Sequence, residues 1–120
     1  MKILSIALTA LALMTFAPTD VAAQGKRITS EAEFNKAVVG KRLQFGKDGD
    51  WVRVQKNGKL RGSFGGNQTV GVWQWRDTFW CRTLTKPRQN TDCQTWEAID
   101  GGFKVSRERG KGRSFVYTLK

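Results

Sequence analysis

The sequence predicts a mainly β fold: a small antiparallel meander of about eight short strands, rolled into a barrel-like sheet, with one short N-terminal helix. Three observations predict it. From Leu43 onward apolar and polar residues alternate with a period of two, the pattern of a half-buried strand. Turn signals rich in Gly, Asn and Asp recur roughly every 8–12 residues, a spacing that suits sandwiches and barrels rather than βαβ units. Connections this short join antiparallel neighbours, and a sheet that curls on itself hides its edges.

The 120 residues accommodate one domain. Their beginning reads as an export signal. Met1-Lys2 precedes the apolar run Ile3 to Ala17, and Val21-Ala22-Ala23 offers the small residues that a signal peptidase reads. Cleavage is expected after Ala23, giving a signal peptide over 1–23 and one β-rich domain over 24–120. The apolar run is shorter than the roughly 20 residues of a spanning helix, and Pro18 follows it. The expected location is the periplasm or the exterior. The leader holds one Lys and one Asp, so the domain keeps the whole net charge of +11.

A domain of this size buries only about 60–65% of its unfolded surface, so a covalent link matters. Cys81 and Cys93 are the two cysteines of the chain, and export predicts that they form a disulfide. Closing that loop stabilises by about 3 kcal/mol through chain entropy. A catalytic dithiol would need Cys-x-x-Cys spacing, which is absent.

Taken in order, Gln24 to Thr29 is a polar, basic lead-in, expected to be mobile. Ser30-Glu31-Ala32-Glu33 is a capping box that starts the helix, and Phe34, Ala37 and Val38 form its apolar stripe. Gly40 is placed to end it. Leu43 and Phe45 alternate with polar residues up to the turn Gly46–Asp50. Trp51 to Gln55 puts Val52 and Val54 on one side, with Trp51 and Arg53 on the other. Lys56-Asn57-Gly58-Lys59 predicts a hairpin with a type I′ turn. Leu60, Gly62 and Phe64 line the returning strand.

Thr69 to Arg76 sets Gly71, Trp73 and Trp75 against Val70, Val72 and Gln74. Asp77-Thr78 is a tight turn. Phe79 to Thr85 sets Trp80, Arg82 and Leu84 against Phe79, Cys81 and Thr83. Lys86 to Thr91 is a loop, and Asp92 to Ile99 a strand. Asp100-Gly101-Gly102 turns into Phe103 and Val105. Arg109 to Gly112 turns into Phe115, Tyr117 and Leu119. Gly62 and Gly71, inside strands, mark bends.

The chain has no histidine, which removes the commonest acid/base group and metal ligand. No metal site, cofactor or catalytic residue is assigned. The glycines of Gly62-Ser63-Phe64-Gly65-Gly66 lack a nucleotide-binding spacing and a following helix. The surplus is aromatic and basic. Trp51, Trp73, Trp75, Trp80 and Trp96 serve either as core or as a ligand-lining surface. The candidate ligand surface is Trp73, Trp75 and Trp80 with Arg53, Arg76 and Arg82. Lys86-Pro87-Arg88 and Arg107 to Arg113 are the expected contact points for an anionic partner.

The runs Gly71-Val72-Trp73-Gln74-Trp75, Phe79-Trp80-Cys81-Arg82 and Asp92-Cys93-Gln94 resemble a group of small exported proteins of alphaproteobacteria. The Lys56–Lys59 hairpin and Arg107-Glu108-Arg109-Gly110-Lys111-Gly112 are similar too. Some members of that group carry a "dihydrodipicolinate reductase" label. The resemblance implies export and architecture, and transfers no catalytic residues. A distant similarity to lipocalin-type barrels is an analogy of fold.

The expected function is that of a periplasmic, non-enzymatic binding domain with an aromatic and basic face. Its expected partners are anionic lipid, polysaccharide or an acidic protein; export argues against nucleic acid as the physiological partner. The alternatives are a small hydrolase- or lyase-type enzyme using Glu97 or Glu108 beside an arginine, and a structural subunit of an envelope complex.

Overall fold

A computed structural model describes residues 25–46 and 49–120. The expected signal peptide over 1–23 lies outside the described residues, as do positions 47 and 48 of the first turn. The strands are β1 (Lys26–Ile28), β2 (Arg42–Phe45), β3 (Asp50–Val54), β4 (Lys59–Phe64), β5 (Asn67–Arg76), β6 (Phe79–Lys86), β7 (Asn90–Ile99), β8 (Gly102–Ser106) and β9 (Ser114–Leu119); the helix is α1 (Glu31–Ala37). Each strand from β2 to β9 pairs antiparallel with the next, and β9 also pairs with β2. The result is a closed, eight-stranded up-and-down barrel with β1 as an added ninth strand.

The inward set follows the alternation. Leu43, Val52, Val54, Leu60, Trp73, Trp80, Trp96, Phe103, Val105 and Tyr117 are buried. Two strand glycines let the wall bend sharply. A Cβ on Gly62 would collide with the Trp51 carbonyl oxygen. One on Gly71 would lie 2.5 Å from the Thr83 oxygen, where the β5–β6 register shifts.

Helix α1 closes one end of the barrel. The Ser30 hydroxyl accepts from the Glu33 amide at 3.2 Å, so the serine half of the capping box forms. The Gly40 amide donates to the Val54 carbonyl at 2.7 Å, fastening the helix exit to β3. Seven residues are too few to stand alone as a helix. What holds α1 is Phe34, fully buried, with ring centroids 5.2–5.9 Å from those of Trp73, Trp75, Trp80 and Trp96.

Two expectations are corrected. The lead-in is not mobile chain: residues 26–28 form β1, and Ile28 is buried. Strand β6 ends its pairing with β7 at Gln94, which leaves the same edge of β7 open further along. β1 fills it, opposite Trp96 to Ala98. The Arg27 guanidinium donates to the Thr78 hydroxyl at 3.0 Å and lies over the Phe79 ring.

The hairpin at Asn57-Gly58 is not type I′, which needs positive φ at both central residues. Only Gly58 has it, at 81°. The Gly58 amide donates to the Gln55 carbonyl at 3.2 Å, which makes a turn over Gln55–Gly58 followed by a left-handed glycine. Trp73 imposes this geometry. Its backbone amide donates to the Gly58 carbonyl and its indole to the Gln55 carbonyl, each at 2.8 Å.

Cys81 and Cys93 are direct cross-strand partners on β6 and β7, with Cα atoms 3.9 Å apart, and they are bonded to each other. Phe34→Ala is expected to cost about 3–5 kcal/mol of unfolding free energy, read by denaturant titration, because the ring leaves a cavity that four indoles cannot fill. Cys81→Ser with Cys93→Ser should cost about 2–4 kcal/mol in the same measurement.

Candidate functional site: a cationic cavity at the barrel mouth

The end opposite α1 is open. A cavity of about 370 Å3 enters the barrel there, within the ordinary size range of small-molecule pockets. Val52, Leu60, Trp80 and Tyr117 form its deeper wall. Phe45, Phe64 and Phe115 form an aromatic lip, joined by Leu84 and Pro87. The rings of Phe45 and Phe115 meet edge to face at 5.7 Å, and those of Phe115 and Tyr117 at 5.1 Å. The polar groups on the wall are Arg82, Arg107, Arg113, Tyr117, Gln94, Thr69 and Ser114. Among the described residues no carboxylate lines it.

Each cation gets there by strand parity or by a loop. Arg82 follows Trp80 on the inward side of β6. Arg107 and Arg113 flank the β8–β9 loop, and the Arg107 amide donates to the Arg113 carbonyl at 3.1 Å, which brings both side chains to the rim. The nearest acid, Asp92, is fully engaged behind them. Its carboxylate accepts from Gln94 Nε2 at 2.9 Å, from the Glu108 amide at 3.0 Å and from Arg107 Nε at 3.4 Å.

Arg82 spends one nitrogen on the protein. Its Nη1 donates to Asn90 Oδ1 at 2.7 Å and to the Asn90 carbonyl at 3.2 Å. Its Nε and Nη2 make no hydrogen bond among the described residues. Burial pulls this guanidinium below the ordinary arginine value; Asp92 opposes that and Arg107 adds to it. Arginine nonetheless remains a cation across the accessible pH range. Burial pushes the Tyr117 hydroxyl well above the ordinary phenol value, and the positive charge of Arg82 offsets this only in part. A neutral hydroxyl and a desolvated guanidinium therefore face the same small space.

The six residues of the expected ligand surface separate. Arg82 and Trp80 line the cavity. Trp73 and Trp75 pack on Phe34 at the closed end, and the Trp75 indole donates to the Asp77 carbonyl at 2.7 Å. Arg53 and Arg76 are exposed. Of the two basic clusters, Pro87, Arg107 and Arg113 reach the mouth, whereas Arg109 lies over the Phe79 ring. Glu97 and Glu108 do not line the cavity. Glu97 stands between Arg27 and Lys104 in the sheet register.

The cavity itself was not anticipated from the sequence. Its signal was present: Phe45, Phe64 and Phe115 each occupy a strand end on the same side of the meander. Comparison with family models, curated proteins and solved structures returned no match.

Tyr117 is the single tyrosine of the chain, so tyrosinate absorbance reports it alone. The folded state keeps its proton to higher pH than the unfolded chain, whose value is 10.0. The stability this contributes is fully present below pH 10.0 and declines above it, by up to about 1.4 kcal/mol per pH unit. Tyr117→Phe should remove that part of the decline, and tyrosinate should appear in the native protein only well above pH 10.0 or upon unfolding.

Proposed function

We propose that this is a non-enzymatic binding domain of the periplasm or exterior, and that its barrel mouth takes a small amphipathic anion. One observation carries the reading: an aromatic-lipped cavity with no carboxylate on its wall among the described residues, and a partly desolvated arginine whose Nε and Nη2 make no hydrogen bond among them. At the roughly 30 Å3 that a water-sized group occupies in a liquid, the space holds about a dozen heavy atoms. A carboxylate on a short apolar body suits it. The body replaces water against Phe64, Leu60 and Trp80, and the head group takes the free Arg82 donors in the forked geometry that guanidinium offers. Tyr117 remains a neutral donor. Arg107 and Arg113 steer anions toward the opening.

The disulfide fits an oxidising compartment. Among the described residues no helix is long and apolar enough to cross a membrane.

Medium-chain fatty carboxylates should bind and change Trp80 fluorescence, while the corresponding alcohols bind more weakly. A hydrogen bond to a charged group contributes about 1.5–3 kcal/mol. Arg82→Met should therefore weaken the carboxylate by about 10- to 100-fold and leave the alcohol nearly unchanged. Equal loss for both ligands, or equal affinity of the native protein for both, would refute the role of Arg82.

A further inference from the structure

The barrel carries a second arrangement of cations, on its outside. In the sheet register Arg42 of β2 stands opposite Arg53 of β3, and Arg53 stands opposite Arg61 of β4. All three are exposed. The same row continues through Val70 of β5, opposite Arg61, to Lys86 of β6, opposite Val70. Strands lie about 4.8 Å apart, so the backbones of the three arginines span roughly 10 Å of wall.

Like charges placed directly opposite on neighbouring strands destabilise a sheet. Among the described residues no acid forms an ion pair with them. β2, β4, β5 and β6 contain no Asp or Glu, and the one acid of β3, Asp50, has the opposite parity to Arg53. Its Oδ1 accepts from the Gly65 amide at 2.9 Å. The single ion pair among the described residues, Arg107 with Asp92, is elsewhere. Solubility would be served equally by scattered lysines. A strained row of arginines calls for an anionic occupant.

We propose that the outer face of β2–β4 docks a linear acidic polysaccharide. The row runs from strand to strand and so follows the curve of the barrel. A flexible chain can wrap along such an arc, whereas a flat bilayer touches it only at the crest. A chain with one carboxylate per sugar ring offers repeated anionic groups along that arc. Gln44 and Ser63, in the neighbouring row either side of Trp51, offer hydrogen bonds to hydroxyl groups. Single-stranded nucleic acid needs free aromatic faces on which bases stack. Trp51 is the one aromatic residue facing outward on β2–β4, and the Arg42 guanidinium already covers it at 4.6 Å from the ring centroid. This site is separate from the mouth, so either reading can fail without the other.

The test is retention on immobilised polygalacturonate under a salt gradient. It compares the native protein, Arg42→Gln/Arg53→Gln/Arg61→Gln, and the control Lys36→Gln/Lys56→Gln/Lys104→Gln, which removes the same charge from other exposed positions. The native protein should be retained, and the arginine triple should bind at least tenfold more weakly, with the control close to native. Relief of like-charge repulsion means that the arginine triple should melt no lower than the native protein, so lost binding is not lost folding. No retention of the native protein, or equal losses in the two triples, overturns the proposal. So does tighter, row-dependent binding to phosphatidylglycerol vesicles or to a single-stranded oligonucleotide.

Discussion

The contact between Phe34 and four tryptophans decides what kind of barrel this is. An eight-stranded barrel has an interior just wide enough for side chains to fill or for one small ligand. Here the filling is uneven. Trp73, Trp75, Trp80 and Trp96 crowd one end, and α1 lowers a phenyl ring among them. That end is solid. Further along, Gly62 and Gly71 supply no side chain, Thr69 and Gln94 supply small or polar ones, and the rings of Phe45, Phe64 and Phe115 stand at the rim. The cavity at the mouth follows from spending the bulk at the base.

Electrostatics sort in the same direction. The buried carboxylate nearest the cavity, Asp92, is occupied by an amide, a side-chain amide and one arginine. Arg82 is thereby left without a direct ionic partner in a partly dry place. A partly desolvated charge without a direct ion pair costs stability, and a ligand of opposite sign completes it. An anionic ligand is the completion that this wall can accept, since it presents a neutral phenol and three cations and, among the described residues, no competing acid.

Much of the scaffold was legible in the sequence, because period-two alternation fixes which side chains share a face whatever the neighbouring strand. The opposition of Trp80, Arg82 and Leu84 to Cys81 and Thr83 needed only counting. The pairing of Cys81 with Cys93 followed from compartment and number. Other features depend on register, which one strand does not contain. Arg42, Arg53 and Arg61 are unremarkable until three strands lie side by side. The lead-in became β1 because β7 had an open edge, a fact about β6. The turn at Asn57-Gly58 has sound I′ chemistry, but Trp73 of a third strand holds both Gln55 and Gly58 and selects another geometry. The tryptophans drew attention as a ligand surface, yet only Trp80 lines the open space, because helix packing claims the others.

The staple also has a place in the site. Cys81 sits between Trp80 and Arg82, and Cys93 between Asp92 and Gln94. Side chains alternate, so a bond on the outer face of β6 and β7 fixes the relative height of four inward groups. Those four are part of the cavity floor, the ligand-facing cation, the acid that holds the rim, and a polar wall residue. The β6–β7 pairing stops at Gln94, and β1 takes over the edge of β7 beyond it. A covalent link at that position resists sliding of one strand past the other. Sliding by a single residue would turn Arg82 outward and Cys81 inward. The bond that stabilises the domain therefore also keeps the half-buried Arg82 guanidinium pointed into the mouth.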